Sequence, residues 1–186
     1  MMNRRFRFNI YFAIAVSLGL VSGCTSAHTE KSKDKKPLST LHLHQEMHAD
    51  PMGRTEEALV FRAQPVKLIV NKDPFLTEAN IKEAKVIDNM GGFALSIQFD
   101  KQGSWLLEEY TAASRGKHIA VYCQFMPGGE HKLNTGRWLA APLIQNHIAD
   151  GVFIFTPDAT REEAERIATG LNDVASKLQT GQEVKW

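Results

Sequence analysis

Two cysteines in 186 residues are too few for a disulfide framework or a four-thiolate zinc site. Charge of one sign is lacking too: 22 Lys+Arg stand against 21 Asp+Glu, a formal charge of +1. A nucleic-acid binder needs a basic surplus to neutralise phosphates, so nucleic acid is excluded as a partner. The apolar run near the N-terminus, Ile10–Val21, falls short of the about 20 residues that a membrane span takes. No phosphate-loop pattern G-x-x-x-x-G-K-[ST] and no G-x-S-x-G are present. The adjacent pairs Glu108-Glu109 and Glu162-Glu163 fall on predicted helices, where neighbours point in different directions and make no carboxylate dyad. The sequence therefore offers no catalytic motif and implies no cofactor, and a non-enzyme is expected. At 43% hydrophobic and 23% charged, the chain has the composition of one globular domain.

What is there begins at the N-terminus. Arg4, Arg5 and Arg7 precede the apolar run, which ends at Ser22-Gly23-Cys24. A basic start, a short apolar stretch and small residues at the cut make a secretory signal. Leu20-Val21-Ser22-Gly23-Cys24 resembles the lipobox of bacterial lipoproteins. In that family the cysteine thiol carries diacylglycerol, the signal is cut before it, and the new N-terminus is acylated, commonly with palmitate. Two or three acyl chains satisfy the multiple-signal requirement for durable attachment. Thr25, rather than Asp, follows the cysteine, which resembles lipoproteins passed to the outer membrane in enteric bacteria. The resemblance thus implies a cell-membrane or outer-membrane anchor with the domain in the periplasm. Loss of residues 1–23 removes three arginines and leaves 163 residues with 19 basic and 21 acidic side chains, a formal charge of −2.

Residues 25–38, TSAHTEKSKDKKPL, are polar and lysine-rich, with too little to bury to offset their ordering entropy. A tether over 24–38 is expected, followed by a single domain over 39–186. Leu41, Leu43 and Met47 alternate with polar residues as in a half-buried strand. Residues 58–70 read as a second extended region, with Pro65 at an edge or bulge. Thr77, Asn80 and Ile81 suggest a short helical turn before a strand around Ala84–Ile87. Phe93, Leu95, Ile97 and Phe99 alternate after the Gly91-Gly92 turn. Trp105, Leu106 and Tyr110 fall near helical spacing and Gly116 ends that helix. Strands are expected at His118–Phe125 and Val152–Phe155, with the apolar stretch Trp138–Ile144 broken by Pro142. Thr160 and Glu163 form a capping box. Ala164, Ile167, Ala168, Leu171, Val174, Ala175 and Leu178 then keep one helical face. The expected class is α+β, a mainly antiparallel sheet with two main helices packed on one face.

In this order, Ile81-Lys82-Glu83-Ala84, Gly91-Gly92-Phe93-Ala94-Leu95, the segment Gly103–Thr111 and Gly116-Lys117-His118-Ile119-Ala120-Val121 are followed by Ala141-Pro142-Leu143-Ile144, Ile148, Gly151 and the helix from Thr160. Together they resemble the head subdomain of the first periplasmic region of SecD and SecDF, accessory proteins of bacterial protein export. The head-like core spans about 80–178. Pro74–Glu78 and Phe155–Asp158 frame it, as in small standalone envelope proteins of this kind. The base subdomain and membrane helices that carry proton-coupled work in SecD and SecDF have no counterpart in these residues. What the resemblance implies is a non-catalytic binding or accessory module in contact with exported or envelope polypeptide.

Two segments are candidate binding sites. The loop Met126–Gly136 carries Gly128-Gly129 with Lys132 and mixed charges, and loops more often carry function than scaffold does. It is a candidate for contact with polypeptide, through Met126, Gly128, Gly129, Lys132 and Gly136. The second is H-x-H-x3-H at His42, His44 and His48, with Glu46 between. Alternate residues of a strand share a face, and imidazoles on one face can hold zinc or copper. A solvent-facing polar stripe is the other reading of that segment. Cys123 reads as a buried structural thiol.

Overall fold

The computed structural model describes residues 38–125 and 135–182. The signal peptide, Cys24, the tether up to Pro37, and Met126, Gly128, Gly129 and Lys132 lie outside the described residues. The fold is α+β, antiparallel throughout, with two helices. The expected sheet is divided into three, however. Strands β1 (Ser39–Gln45), β6 (Ile119–Phe125) and β7 (Thr135–Ala140) form one, in the order β1-β6-β7. β2 (Thr55–Val60) and β3 (Val66–Asn71) form a hairpin, and β4 (Ile81–Asn89), β5 (Gly92–Phe99) and β8 (Val152–Phe155) form the third in the order β4-β5-β8.

β6 is the central strand of its sheet. It pairs with β1 from Ser39 opposite Phe125 to Gln45 opposite Ile119, and with β7 on its other side. Leu41, Leu43, Val121, Cys123 and Leu139 are buried on one face. On the other face the hairpin closes over Ala120, through Ala58, Val60, Leu68 and Val70, with Trp138 and Ala141 packed alongside. Coverage on both faces explains why IAVYCQF reads as a nearly continuous apolar run rather than an alternating one. The hairpin is tied to the end of this sheet by an isolated bridge, Glu46 to Val70, and by Met47 N–H donating to the Ile69 carbonyl at 2.8 Å. Pro65 sits in the turn between β2 and β3, not at the edge or bulge expected, because the 58–70 segment folds back on itself.

The helical turn that the sequence implies, at Glu78–Asn80, is capped by Thr77 in a reciprocal capping box. α1 (Lys101–Ala113) is capped by Asp100, whose carboxylate accepts from Gly103 N–H at 2.7 Å. Its buried face is Gly103, Leu107 and Thr111; Trp105, expected on that face, is 62% exposed. α2 (Arg161–Gln179) starts with the predicted Thr160–Glu163 box. It buries Ala164, Ile167, Ala168, Leu171, Val174 and Ala175, while Leu178 has drifted to the exposed side. Gly170 allows its closest approach to β1, because a β-carbon there would overlap the Ser39 hydroxyl and come within 2.9 Å of the Ser39 nitrogen.

α2 also meets the edge of β4. The Asn172 side chain accepts from Ala84 N–H and donates to the Ala84 carbonyl, both at 2.8 Å. One amide thus satisfies both backbone groups that an edge strand would present to a neighbour. Removing it leaves a donor and an acceptor in a partly buried place, a penalty of about 1–3 kcal/mol for an unsatisfied group. Asn172→Ala is expected to lower the urea midpoint by the equivalent of about 2 kcal/mol with an unchanged denaturant slope. An unaltered midpoint would remove the clasp from the account of the fold.

Candidate functional site

Two regions gather chemistry. The first is the outer face of the β1-β6-β7 sheet. Its strands place His42, His44, Tyr122 and Trp138 as neighbours, with ring centroids 6.1 Å apart for His42–His44, 5.1 Å for His44–Trp138, 5.2 Å for Tyr122–Trp138 and 6.2 Å for His42–Tyr122. These spacings are those of rings in mutual contact. Tyr122 continues the face toward β7 by lying across Gly136, where a β-carbon would overlap the phenol. The aromatic ring covers the backbone that the missing side chain leaves bare. Of the candidate loop residues, Gly136 alone falls among the described residues, and its place is explained by Tyr122.

The expected histidine cluster does not form. His42 and His44 do share a face, but His44 is buried and its Nδ1–H donates to the Asn71 carbonyl at 2.8 Å. A carbonyl only accepts, so Nδ1 carries the proton in the neutral ring. His42 Nε2 lies 3.5 Å from Glu78. Glu46 turns away to accept from both the His118 backbone N–H and its Nδ1–H, each at 2.7 Å. His48 lies past the bend where the chain leaves β1 for β3. Among the described residues no group of three or more His, Cys, Asp and Glu is placed to hold a metal. The segment is not a solvent-facing stripe either, because the β2–β3 hairpin and Trp138 cover its His44 end. Alternation gave the shared face correctly; what packs on that face is a long-range matter.

Cys123 is buried in the core, and burial pushes its thiol far above the usual range. A thiol held protonated is inert as a nucleophile. At the start of α2, Arg137 reaches Glu163 at 2.9 Å and the Asp158 carbonyl at 3.1 Å, with its guanidinium over the Phe125 ring. Arg62 meets the Asp158 carboxylate from the hairpin side. Burial works against the ionised forms of Asp158 and Glu163. The hydrogen bonds from Arg62 and Arg137 outweigh it and hold both carboxyls below their usual range. This cluster ties β7, the hairpin and α2 together, and within it Arg137 Nε is buried without a hydrogen-bond partner among the described residues.

The second region was not foreseen as a site. β8 is an edge strand with β5 on one side. Facing it, Pro142–Ile144 runs along the start of β6 through Ile119 N–H to the Pro142 carbonyl and Ile144 N–H to the Lys117 carbonyl. Between them lies a shallow cleft of about 170 Å³, floored by Ile119, Ile144, Ile148 and Phe153. Leu143 and Ile154, both half exposed, stand at its rim. The sequence signal is modest: an apolar stretch interrupted by Pro142, and a four-residue strand with an isoleucine on its outward face. A free strand edge beside an apolar recess can accept an extended chain, main chain to main chain, with a side chain in the recess.

With this geometry in hand, the comparisons with known proteins decide the family. The model of the SecDF P1 head subdomain matches residues 55–175. The chain belongs to that family. A solved structure described as that of a membrane component SecDF that enhances protein export aligns with a TM-score of 0.50 and 20% identity, over 74% of this chain and 63% of the other. A crystal structure of SecDF in a super-membrane-facing form aligns with a TM-score of 0.50 and 21% identity, over 72% of this chain and 18% of the other. This chain therefore spans less than two thirds of either solved chain. At these identities the likeness is one of fold. Comparison with curated proteins gives no match. No helix among the described residues is long and apolar enough to cross a membrane.

The buried His44 makes a measurable prediction for this SecDF head-like domain. Desolvation, joined by the charge of nearby His42, holds its imidazole below 6.5 against the opposing pull of the Asn71 carbonyl. Below pH 6.5 the unfolded chain takes up this proton before the folded one does, so stability falls as pH drops from 6.5 through the lowered folded value. The urea midpoint is expected to decline over that interval, and His44→Gln is expected to flatten the decline. An identical pH profile in the variant would remove His44 as its source.

Proposed function

We propose that this protein is a lipid-anchored accessory protein of the cell envelope whose P1 head-like domain contacts extended polypeptide without catalysing a reaction. The observation that carries the reading is the free edge of β8 beside the Leu143–Ile154 cleft, in a fold shared with a SecDF described as enhancing protein export. Exported or envelope polypeptide in an unfolded state supplies both the main-chain groups and the apolar side chains that such an edge can take. The lipobox at Leu20, Val21, Ser22, Gly23 and Cys24 supports attachment through Cys24, with the domain in the periplasm.

Lys132 lies outside the described residues, and crosslinking from each position distinguishes the loop expected from the sequence from the cleft. In-cell photo-crosslinking from positions 143, 154 and 132 is expected to capture polypeptide from the first two. Leu143→Asp is expected to reduce capture from position 154 several-fold, and Ile154→Asp capture from position 143, without lowering the urea midpoint. Capture from Lys132 alone would move the contact to the loop, and capture from none would sink the reading. Mass spectrometry of the membrane-extracted N-terminal peptide is expected to show an acylated Cys24; an unmodified thiol there would refute the anchor.

A further inference from the structure

The tip of the β2–β3 hairpin is built for a purpose that the small core beneath it does not explain. That core uses Ala58, Val60, Leu68 and Val70. Yet Leu59 is 61% exposed, Val66 46% and Phe61 38%, and all of residues 61–65, Phe-Arg-Ala-Gln-Pro, lie on the surface. Phe61 has φ 69°, a left-handed conformation that a bulky side chain adopts only when its surroundings impose it. The imposing contact is Arg62. Its backbone N–H and Nε donate to Asp158 Oδ2 at 2.7 and 3.2 Å, and its terminal nitrogen donates to the Asp158 carbonyl at 3.3 Å. A strained turn clamped from behind thus holds out an apolar tip.

We infer that this tip is a membrane-surface contact, entering the headgroup region of the bilayer that carries the lipid anchor. The inference rests on the anchored reading above. Fourteen residues separate Cys24 from Ser39, and as the coil their composition predicts they reach roughly 20 Å. A domain on so short a leash meets its own bilayer at millimolar effective concentration, so a contact too weak to act alone becomes occupied. The charge pattern fits the same occupant. The hairpin as a whole carries Glu56 and Glu57 beside Arg62 and Lys67, and Lys67 pairs with Glu57 at 2.7 Å. From Ala58 to Val66 the one charged residue is Arg62, which is paired with Asp158, so seating the tip among headgroups exposes no unpaired charge to the acyl boundary.

Depth measurement tests this directly. The acylated protein is reconstituted into vesicles of phosphatidylethanolamine and phosphatidylglycerol, with one nitroxide label at Gln64→Cys, at the tip, or at Met90→Cys. Met90 is the fully exposed residue of the β4–β5 turn. Cys123 is buried and Cys24 acylated, so the label marks one site. The label at 64 is expected to show several-fold lower collision with a water-soluble nickel complex in vesicles than in detergent, and higher collision with oxygen. The label at 90 is expected to stay aqueous. Phe61→Ser with Leu59→Ser is expected to return position 64 to water with an unchanged urea midpoint. A tip that stays aqueous in the anchored protein, or entry at position 90 in its place, overturns the inference. If Cys24 proves unmodified the anchored reading fails by itself. The same labels on the full chain carrying Cys24→Ser, with excess vesicles, then decide the tip separately, by protection at 64 or by its absence.

Discussion

The pairing of β1 with β6 is the interaction on which the rest of the molecule depends. β6 is the central strand of its sheet, so its backbone groups have to be satisfied from its two sides. β7 takes one side and β1 the other, in register along all seven residues of the strand. The family match begins at residue 55, so the strand that completes this sheet comes from outside the matched segment. It also contributes Leu41 and Leu43, each worth about 1.5–3 kcal/mol of buried apolar surface, and the ledge at Ser39 against which α2 settles through Gly170. Beyond Gln45 the same chain crosses to β3 and positions the hairpin. One short strand therefore fixes a sheet, a helix and a hairpin.

How legible this was in the sequence follows from the range of the interactions. The capping box at Thr160 is local, needing a hydroxyl and a side chain three residues on, and stands as read; at Thr77 the sequence reads as a helical turn, and the structure adds the box with Asn80. The apolar face of α2 and the turn at Gly91-Gly92 are local too. Trp105 misled because helical spacing says which residues share a face and not which face is covered. Residues 58–70 misled because Phe61 takes a left-handed turn that its side chain would ordinarily oppose, so an extended reading ran through a hairpin. The division into three sheets, the hairpin folding over His44, and Asn172 on β4 depend on partners 27 to 88 residues away. No window of sequence contains them.

The functional surfaces divide by the same logic. The histidine pattern was conspicuous in the sequence, yet His44, His42 and the intervening Glu46 are occupied one by one with Asn71, Glu78 and His118, so they act as ties between elements, and His48 is exposed. The cleft was inconspicuous because an edge strand and an apolar recess are properties of the assembled fold. β8 and Pro142–Ile144 are ordinary as sequence; only their meeting across Ile119 and Phe153 makes the cleft. The hairpin tip lies on a different part of the chain, and its rigidity comes from Asp158, three residues after β8 ends.

The amide of Asn172 also has a bearing on what the sheet can pair with. Any sheet with a bare margin is open to an extended backbone, which can add to it as an extra strand. β4 is the longest strand of the domain, and its outer margin is the one that would fuse most readily with such a chain or with a second copy. By laying a side-chain amide across that margin, α2 substitutes a fixed, single-residue imitation of a strand for an open invitation. The two margins of this sheet thereby differ: at β4 the Ala84 backbone is already taken by an asparagine of α2, while β8 forms the opposite edge beside the cleft.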